Sequence, residues 1–355
     1  MNTTLDLSEL DINIGRLFMA GMPGTFLDDD TRTLIRDYCL GGIILFDRNI
    51  EDPVQLARLT HDLQETALEH HGIPLFLAVD QEGGPVRRLK EPFTYFPGNT
   101  AIGEDPSPVE KAMDFARVTA KEMGLVGLNM DMAPVLDLRI GEPEKHLAGR
   151  TFSDDPSEVS LLGRTVVKTL QDHGIMAVAK HFPGLGGASL DPHHHLPTID
   201  IRSGEMEKHH LLPFKAAIQE NVSAIMTSHA IYPSLDPQIP ATLSPGVLGG
   251  LLRERMGFEG LIITDDLEMG AIAESWGAAE GAVASFEAGA DILLICEDQR
   301  HILEGIEILR KKLVHNEISM HRLQDSVARI MKAKGRFLKD VSPFSIDEVR
   351  AYFNL

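Results

Sequence analysis

Five stretches of this chain set acids, bases and imidazoles directly behind apolar runs: VDQEGGPVRRL, LAGRTF, AKHFPGLGGASLDPHHHLP, TSHAIYP and TDDLEMG. A packed core does not choose such residues, so their convergence would make a catalytic mouth. Asp265 in TDDLEM is the first candidate. A carboxylate at a strand end can attack an electrophilic centre such as an anomeric carbon. An aspartate here can equally be a helix cap, and Asp266, one step nearer the next helix, fits that role better. Asp191, Pro192 and His193 are the second group. Histidine takes up and releases a proton near neutrality, and a carboxylate behind it holds its tautomer. Gly184, Gly186, Gly187, Ala188 and Ser189 give that loop freedom to move and close. His193, His194 and His195 could also be a solvated run, or metal ligands with His181 or with His209 and His210. Adjacent residues point different ways and no H-E-x-x-H spacing occurs, so neither a metal nor a cofactor is expected.

Asp80, Arg88, Arg150, Lys180 and His181 form the third group. Fixed charges at strand ends are often structural ion pairs. The same set, one acceptor among several donors, can also read the hydroxyls of a sugar ring. Met226 and His229 either line the same pocket or fill the core.

Eight apolar runs would position these groups: residues 16–22, 41–46, 74–80, 127–135, 174–182, 222–230, 260–266 and 290–297. Their near-continuous hydrophobicity suits parallel strands buried on both faces. Helical patterns lie between them. DDDTRTLIRDYC opens on acids, and DPVQLARLTHDLQETALEHHG has Asp-Pro at its start and Gly at its end. Residues 157–174 again stop at Gly, and SPGVLGGLLRERMG and AAEGAVASFEAGAD flank the seventh strand. Eight repeats without a switch in pattern predict a TIM (β/α)8 barrel ahead of an open doubly wound sheet. One catalytic domain is expected over 1–355, with the barrel at about 14–315 and C-terminal helices at about 316–355.

The chain has 355 residues, 43% hydrophobic and 24% charged, which suffices for a core without staples. Cys39 and Cys296 read as two buried thiols in a reducing compartment. The start lacks the pattern of a signal peptide, and no run has the apolar length of a membrane span. A cytoplasmic protein is therefore expected. The net charge of −20 argues against nucleic acid or anionic membrane as partner, without excluding a neutral sugar. No G-x-G-x-x-G fingerprint or phosphate loop supports a nucleotide cofactor.

From GGIILFDRN to GFEGLIITDDLEM the chain resembles the family-three glycoside hydrolases, in particular the single-domain bacterial β-N-acetylglucosaminidases of cell-wall recycling. The pattern K-H-F-P-G-x-G, then D-x-H and a later Pro, is met by Lys180 to Gly186, Asp191, His193 and Pro197. The resemblance implies Asp265 as nucleophile and His193 as acid/base with Asp191 behind it. Asp80 and Arg88 match the D-Q-E-G-G-x-V-x-R motif, Arg150 the G-x-R-[ST]-F arginine, and Lys180 and His181 the Lys-His pair, all as substrate-binding residues. Pro85, Leu185 and Pro192 depart from the usual pattern, which bears on substrate preference.

The expected activity is retaining, exo-acting hydrolysis of terminal GlcNAc from a small carbohydrate of cell-wall or chitin type, without cofactor. Phosphorolysis, the β-glucosidase activity of the same family and a non-catalytic sugar-binding barrel are the alternatives.

Overall fold

The computed structural model describes residues 7–140, 147–188, 190–339 and 345–355. Eight parallel strands follow the eight apolar runs: β1 (Phe18–Ala20), β2 (Gly42–Leu45), β3 (Phe76–Val79), β4 (Met130–Asp131), β5 (Met176–Phe182), β6 (Ala224–Thr227), β7 (Leu261–Ile263) and β8 (Leu293–Ile295). Each pairs with the next in chain order, and β8 returns to β1 with Phe18 opposite Leu293. The ring closes between β7 and β8 through one bridge, Ile263 to Ile292. The fold is thus the TIM-like (β/α)8 barrel, not the open sheet. All strand residues are buried, as parallel strands covered by helices must be.

Local chemistry sets the helix ends. Asp28 caps Asp29–Tyr38, accepting from the N–H groups of Asp30 and Thr31. Asp52 caps Pro53–His71, and Gly72 ends it at φ 63°, a conformation that costs glycine little. Pro156–Asp172 begins on the Asp155 cap and ends on His173, one residue before Gly174. Gly246–Arg255 forms a wider π-type helix and Ala278–Ala288 an α-helix, both within their expected segments. The long helix Pro108–Leu125 was not anticipated.

Helices Arg300–Val314, Met320–Phe337 and Ile346–Phe353 complete the chain. Met320–Phe337 is tied to the barrel at the fully buried Asp291 beside β8. Ser326 Oγ donates to Asp291 at 2.5 Å, Arg329 reaches it at 3.3 Å, and Arg253 pairs with its other oxygen. Among the described residues no helix is long and apolar enough to cross a membrane.

Candidate active site

A pocket of about 290 Å³ opens at the C-terminal ends of the strands. Asp80, Arg88, Arg150, Lys180, His181, His193 and Asp265 all line it. The structure therefore brings together residues that lie up to 185 positions apart (265 − 80).

Asp265 follows β7 and has 22% of its side chain exposed. Its Oδ1 accepts the Asp266 N–H at 2.9 Å, and its Oδ2 stands 4.0 Å from His181 Nε2. Burial alone would raise this carboxyl. The charges of His181 and His229 and the Asp266 amide outweigh burial and hold it below the ordinary aspartate range. An ionised carboxylate at the floor of a pocket can act as a nucleophile.

At the rim, His193 Nδ1 meets Asp191 Oδ1 at 2.7 Å, and the same oxygen accepts the His193 backbone N–H. Asp191 lies behind the imidazole and does not itself line the pocket. The loop is docked by main chain: Gly270 N donates to His193 O at 3.0 Å, and Ala271 N to Pro192 O at 3.2 Å. A Cβ at Gly270 would lie 2.9 Å from His194 O, so glycine is what permits this approach. Gly186 serves a similar end, since a Cβ there would lie 2.2 Å from Leu138 O. Of the small residues read as giving this loop freedom, Ser189 lies outside the described residues.

The charges read from the sequence as substrate-binding form one connected network. Lys180 Nζ lies 2.7 Å from both Asp80 Oδ1 and Glu82 Oε1. Arg150 meets Glu82 in a two-pronged contact at 2.8 Å on each side. Arg88 lies 3.4 Å from Asp80 and stacks 5.4 Å from the Phe46 ring centroid. Burial would raise the Glu82 carboxyl, but Arg150 and Lys180 carry it down to about 2. Burial would lower the Lys180 ammonium, yet Asp80 and Glu82 hold it above the ordinary range. The cations are thus aimed and charged before any substrate arrives. Glycines at φ 79° and 59°, Gly83 and Gly84, turn the small hairpin Gln81–Gly83/Val86–Arg87 that supplies Glu82 and leads to Arg88.

Several groups in and beneath this pocket were not singled out from the sequence. Glu82 is the central anion of the network. Asp137, fully buried, meets His181 Nδ1 at 2.7 Å. Asp131, also fully buried, accepts the Gln81 N–H on one oxygen and has no partner on the other, and burial raises it well above its ordinary value. The signal for Asp131 and Asp137 was an acid inside an apolar run, NMDMAPVLD, since a buried acid must find a partner or a proton.

Asp266 is a correction. The short helix Gly270–Ala273 has Met269 at its N-cap position, so Asp266 does not cap it. Its carboxyl instead accepts the Glu268 N–H and faces the pocket, and burial lifts it to about 7. His229 does not line the pocket: it is buried behind it, its Nε2 donating to Asp266 O at 2.9 Å and its Nδ1 meeting Thr242 at 2.7 Å. Met226 does line it, as do Leu185 and Pro192, whereas Pro85 sits in the hairpin turn. Both cysteines are free and buried, and Cys296 forms part of the wall. Among the described residues no group of three or more His, Cys, Asp or Glu is arranged to hold a metal ion.

Residues 9–333 match the family described as "Glycosyl hydrolase family 3 N terminal domain". The Beta-hexosaminidase A of Pseudoalteromonas piscicida is 32% identical over 91% of this chain, which spans 58% of that protein's length. The solved β-N-acetylglucosaminidase of Paenibacillus sp. FPU-7 superposes at a TM-score of 0.90 with 38% identity, over 93% of this chain and 63% of that one. NagZ from Neisseria gonorrhoeae, solved in complex with N-trifluoroacetyl-D-glucosamine, matches at a TM-score of 0.77 with 30% identity, over 95% and 96% of the two chains. Barrel, pocket and matches define the glycoside hydrolase class. Within it, the chain belongs to glycosyl hydrolase family 3.

Proposed function

We propose that the protein is a retaining, exo-acting β-N-acetylhexosaminidase that removes terminal GlcNAc from a cell-wall-type or chitin-type glycan. The observation that carries this reading is that one pocket is lined both by Asp265, held below the ordinary aspartate range, and by His193, whose ring is backed by Asp191. Asp80, Arg88, Arg150 and Lys180 bind the sugar hydroxyls and the acetamido oxygen, and the N-acylated glucosamine bound by the Neisseria protein supports that choice of sugar.

In the first step Asp265 Oδ attacks the anomeric carbon while the glycosidic bond breaks and His193 gives its proton to the leaving oxygen. In the second, neutral His193 takes a proton from water as that water displaces Asp265 with a second inversion. Asp191 holds Nδ1 and so leaves Nε2 to move the proton. No cofactor takes part in this scheme. Two free buried thiols suit a reducing compartment, and the cytoplasm is the proposed site of action.

Initial rates on aryl β-N-acetylglucosaminide and aryl β-glucoside, with and without phosphate, test the reading. Turnover of the acetamido sugar alone, indifferent to phosphate, is expected. Phosphate dependence with a sugar 1-phosphate product would make the protein a phosphorylase, glucoside preference a β-glucosidase, and silence on both a binding protein. Asp265→Ala is expected to lose nearly all turnover, and a slow fluorosugar to label a peptide containing Asp265. Labelling elsewhere would remove Asp265 from its role.

A further inference from the structure

The mechanism above uses one carboxylate–imidazole pair, at the rim. A second lies at the floor. Asp137 follows β4 and is wholly buried. Its Oδ1 accepts the backbone N–H groups of His181 (3.3 Å) and Leu185 (2.6 Å), and its Oδ2 meets His181 Nδ1 at 2.7 Å. The other ring nitrogen, Nε2, stands 4.0 Å from Asp265 Oδ2. One imidazole therefore stands between two carboxylates.

An ionised carboxylate only accepts hydrogen bonds, so Nδ1 carries a proton toward Asp137. A lone pair on Nε2 would face the negative oxygen of Asp265, whereas a proton there is attracted to it. We propose that Asp137 is a positioning residue that, by holding a proton on Nδ1 of His181 while Nε2 carries another toward Asp265, keeps the imidazole positively charged and so holds the nucleophile ionised until it meets the anomeric carbon. This rests on Asp265 being the nucleophile.

The charges around the triad leave this task to His181. Lys180, next along β5, is engaged by Asp80 and Glu82, and Arg150 by Glu82. His229 on the β6 side also lowers Asp265, but less than His181 does, and burial holds it below the ordinary histidine range; burial pushes His210, in the helical turn Met206–His210, down to about 4. His193 approaches from the rim loop, paired with Asp191. Burial would raise both Asp137 and Asp265, yet both are lowered, and His181 is the leading cause for each.

Asp137→Asn tests the proposal. The amide oxygen must still accept the two backbone N–H groups, so the NH2 group takes the place of Oδ2 and donates to His181 Nδ1. The ring then becomes neutral, with its one proton on Nε2. In ¹⁵N spectra of the full chain near neutral pH, His181 is expected to show two protonated nitrogens in the wild type and one in the variant. With an aryl β-N-acetylglucosaminide, the acidic limb of kcat/KM is expected to move up by about one pH unit, with kcat reduced about 10- to 100-fold and KM little changed.

An unprotonated Nε2 in the wild type overturns the proposal, and that measurement needs no variant to fold. A folded Asp137→Asn protein with an unmoved acidic limb overturns it as well. Absence of wild-type turnover on every aryl β-N-acetylhexosaminide would instead refute the functional reading, while the ¹⁵N spectra still decide the protonation of His181.

Discussion

Glu82 offers the sharpest perturbation of the binding network. Its carboxylate is 1% exposed and stands between two cations that are nearly as buried, Arg150 at 11% and Lys180 at 2%. Oε1 serves both Arg150 Nη2 and Lys180 Nζ, and Oε2 serves Arg150 Nε. In Glu82→Gln the amide oxygen must stay with the two cations, so the NH2 group is pressed against the Arg150 Nε–H, donor to donor. The depression of Glu82 from 4.5 to about 2 corresponds to about 3 kcal/mol of native-state stabilisation. Removing one partner of a buried ion pair typically costs about 3–5 kcal/mol, in agreement. Because the folded value is depressed, this stability is present above about pH 4.5 and is lost as pH falls toward 2. Urea unfolding at pH 7 should therefore show Glu82→Gln less stable by about 3 kcal/mol, and the gap should narrow by roughly half near pH 3. Misaimed Lys180 and Arg150 should also lower kcat/KM on the aryl acetamido sugar about 10- to 100-fold. A variant within about 1 kcal/mol of wild type at pH 7, with no change in the gap on acidification, would refute this account of the network.

Three further outcomes are expected. Burial lifts Asp266 to about 7, so its ionisation in the fold is penalised increasingly from about pH 4 to 7; Asp266→Asn should be more stable by about 2–4 kcal/mol above pH 7 and gain nothing below pH 4. Thermal unfolding across that range checks it. Lys334 is buried 4.9 Å from the Phe76 ring centroid and burial lowers it to about 7. The cost is absent above about pH 10.5 and fully present below 7, so Lys334→Met should stabilise by about 2–5 kcal/mol at pH 7 and by little near pH 10.5. Gly270→Ala would force the His193 loop from its seat; turnover should fall about 10- to 100-fold on poor leaving groups and much less on good ones. Equal losses on both would show that the loop position is not what the substitution changed.

The barrel was legible because its strands, covered on both faces, are continuously apolar, and each observed strand falls inside a run read from the sequence. The pocket residues were legible because the C-terminal strand ends of a barrel form one rim, so charges placed there by distant stretches converge. The buried acids were harder. The β4 run was closed at residue 135, two short of Asp137, and the ladder itself ends at Asp131 apart from one isolated bridge from Val135 to Lys180, so no regular strand pattern reaches Asp137. Glu82 sits in a hairpin too short for any periodicity to reveal. Asp266 was misread because cap chemistry assumes that a helix starts directly after the acid, whereas a turn over Asp266–Met269 intervenes here. His229, read for its ring, acts on a backbone carbonyl, a contact that pattern does not encode.

The two bonds that seat the rim loop, from Gly270 and Ala271 to His193 and Pro192, involve only main-chain atoms. Main-chain contacts are blind to side-chain identity. Pro192, His194 and His195 can therefore be exchanged without unfastening the loop, so long as the partner at 270 remains a glycine. A surface that greets different leaving groups can thus diverge while the proton-transfer geometry is inherited unchanged, which separates what this barrel selects from how it cuts.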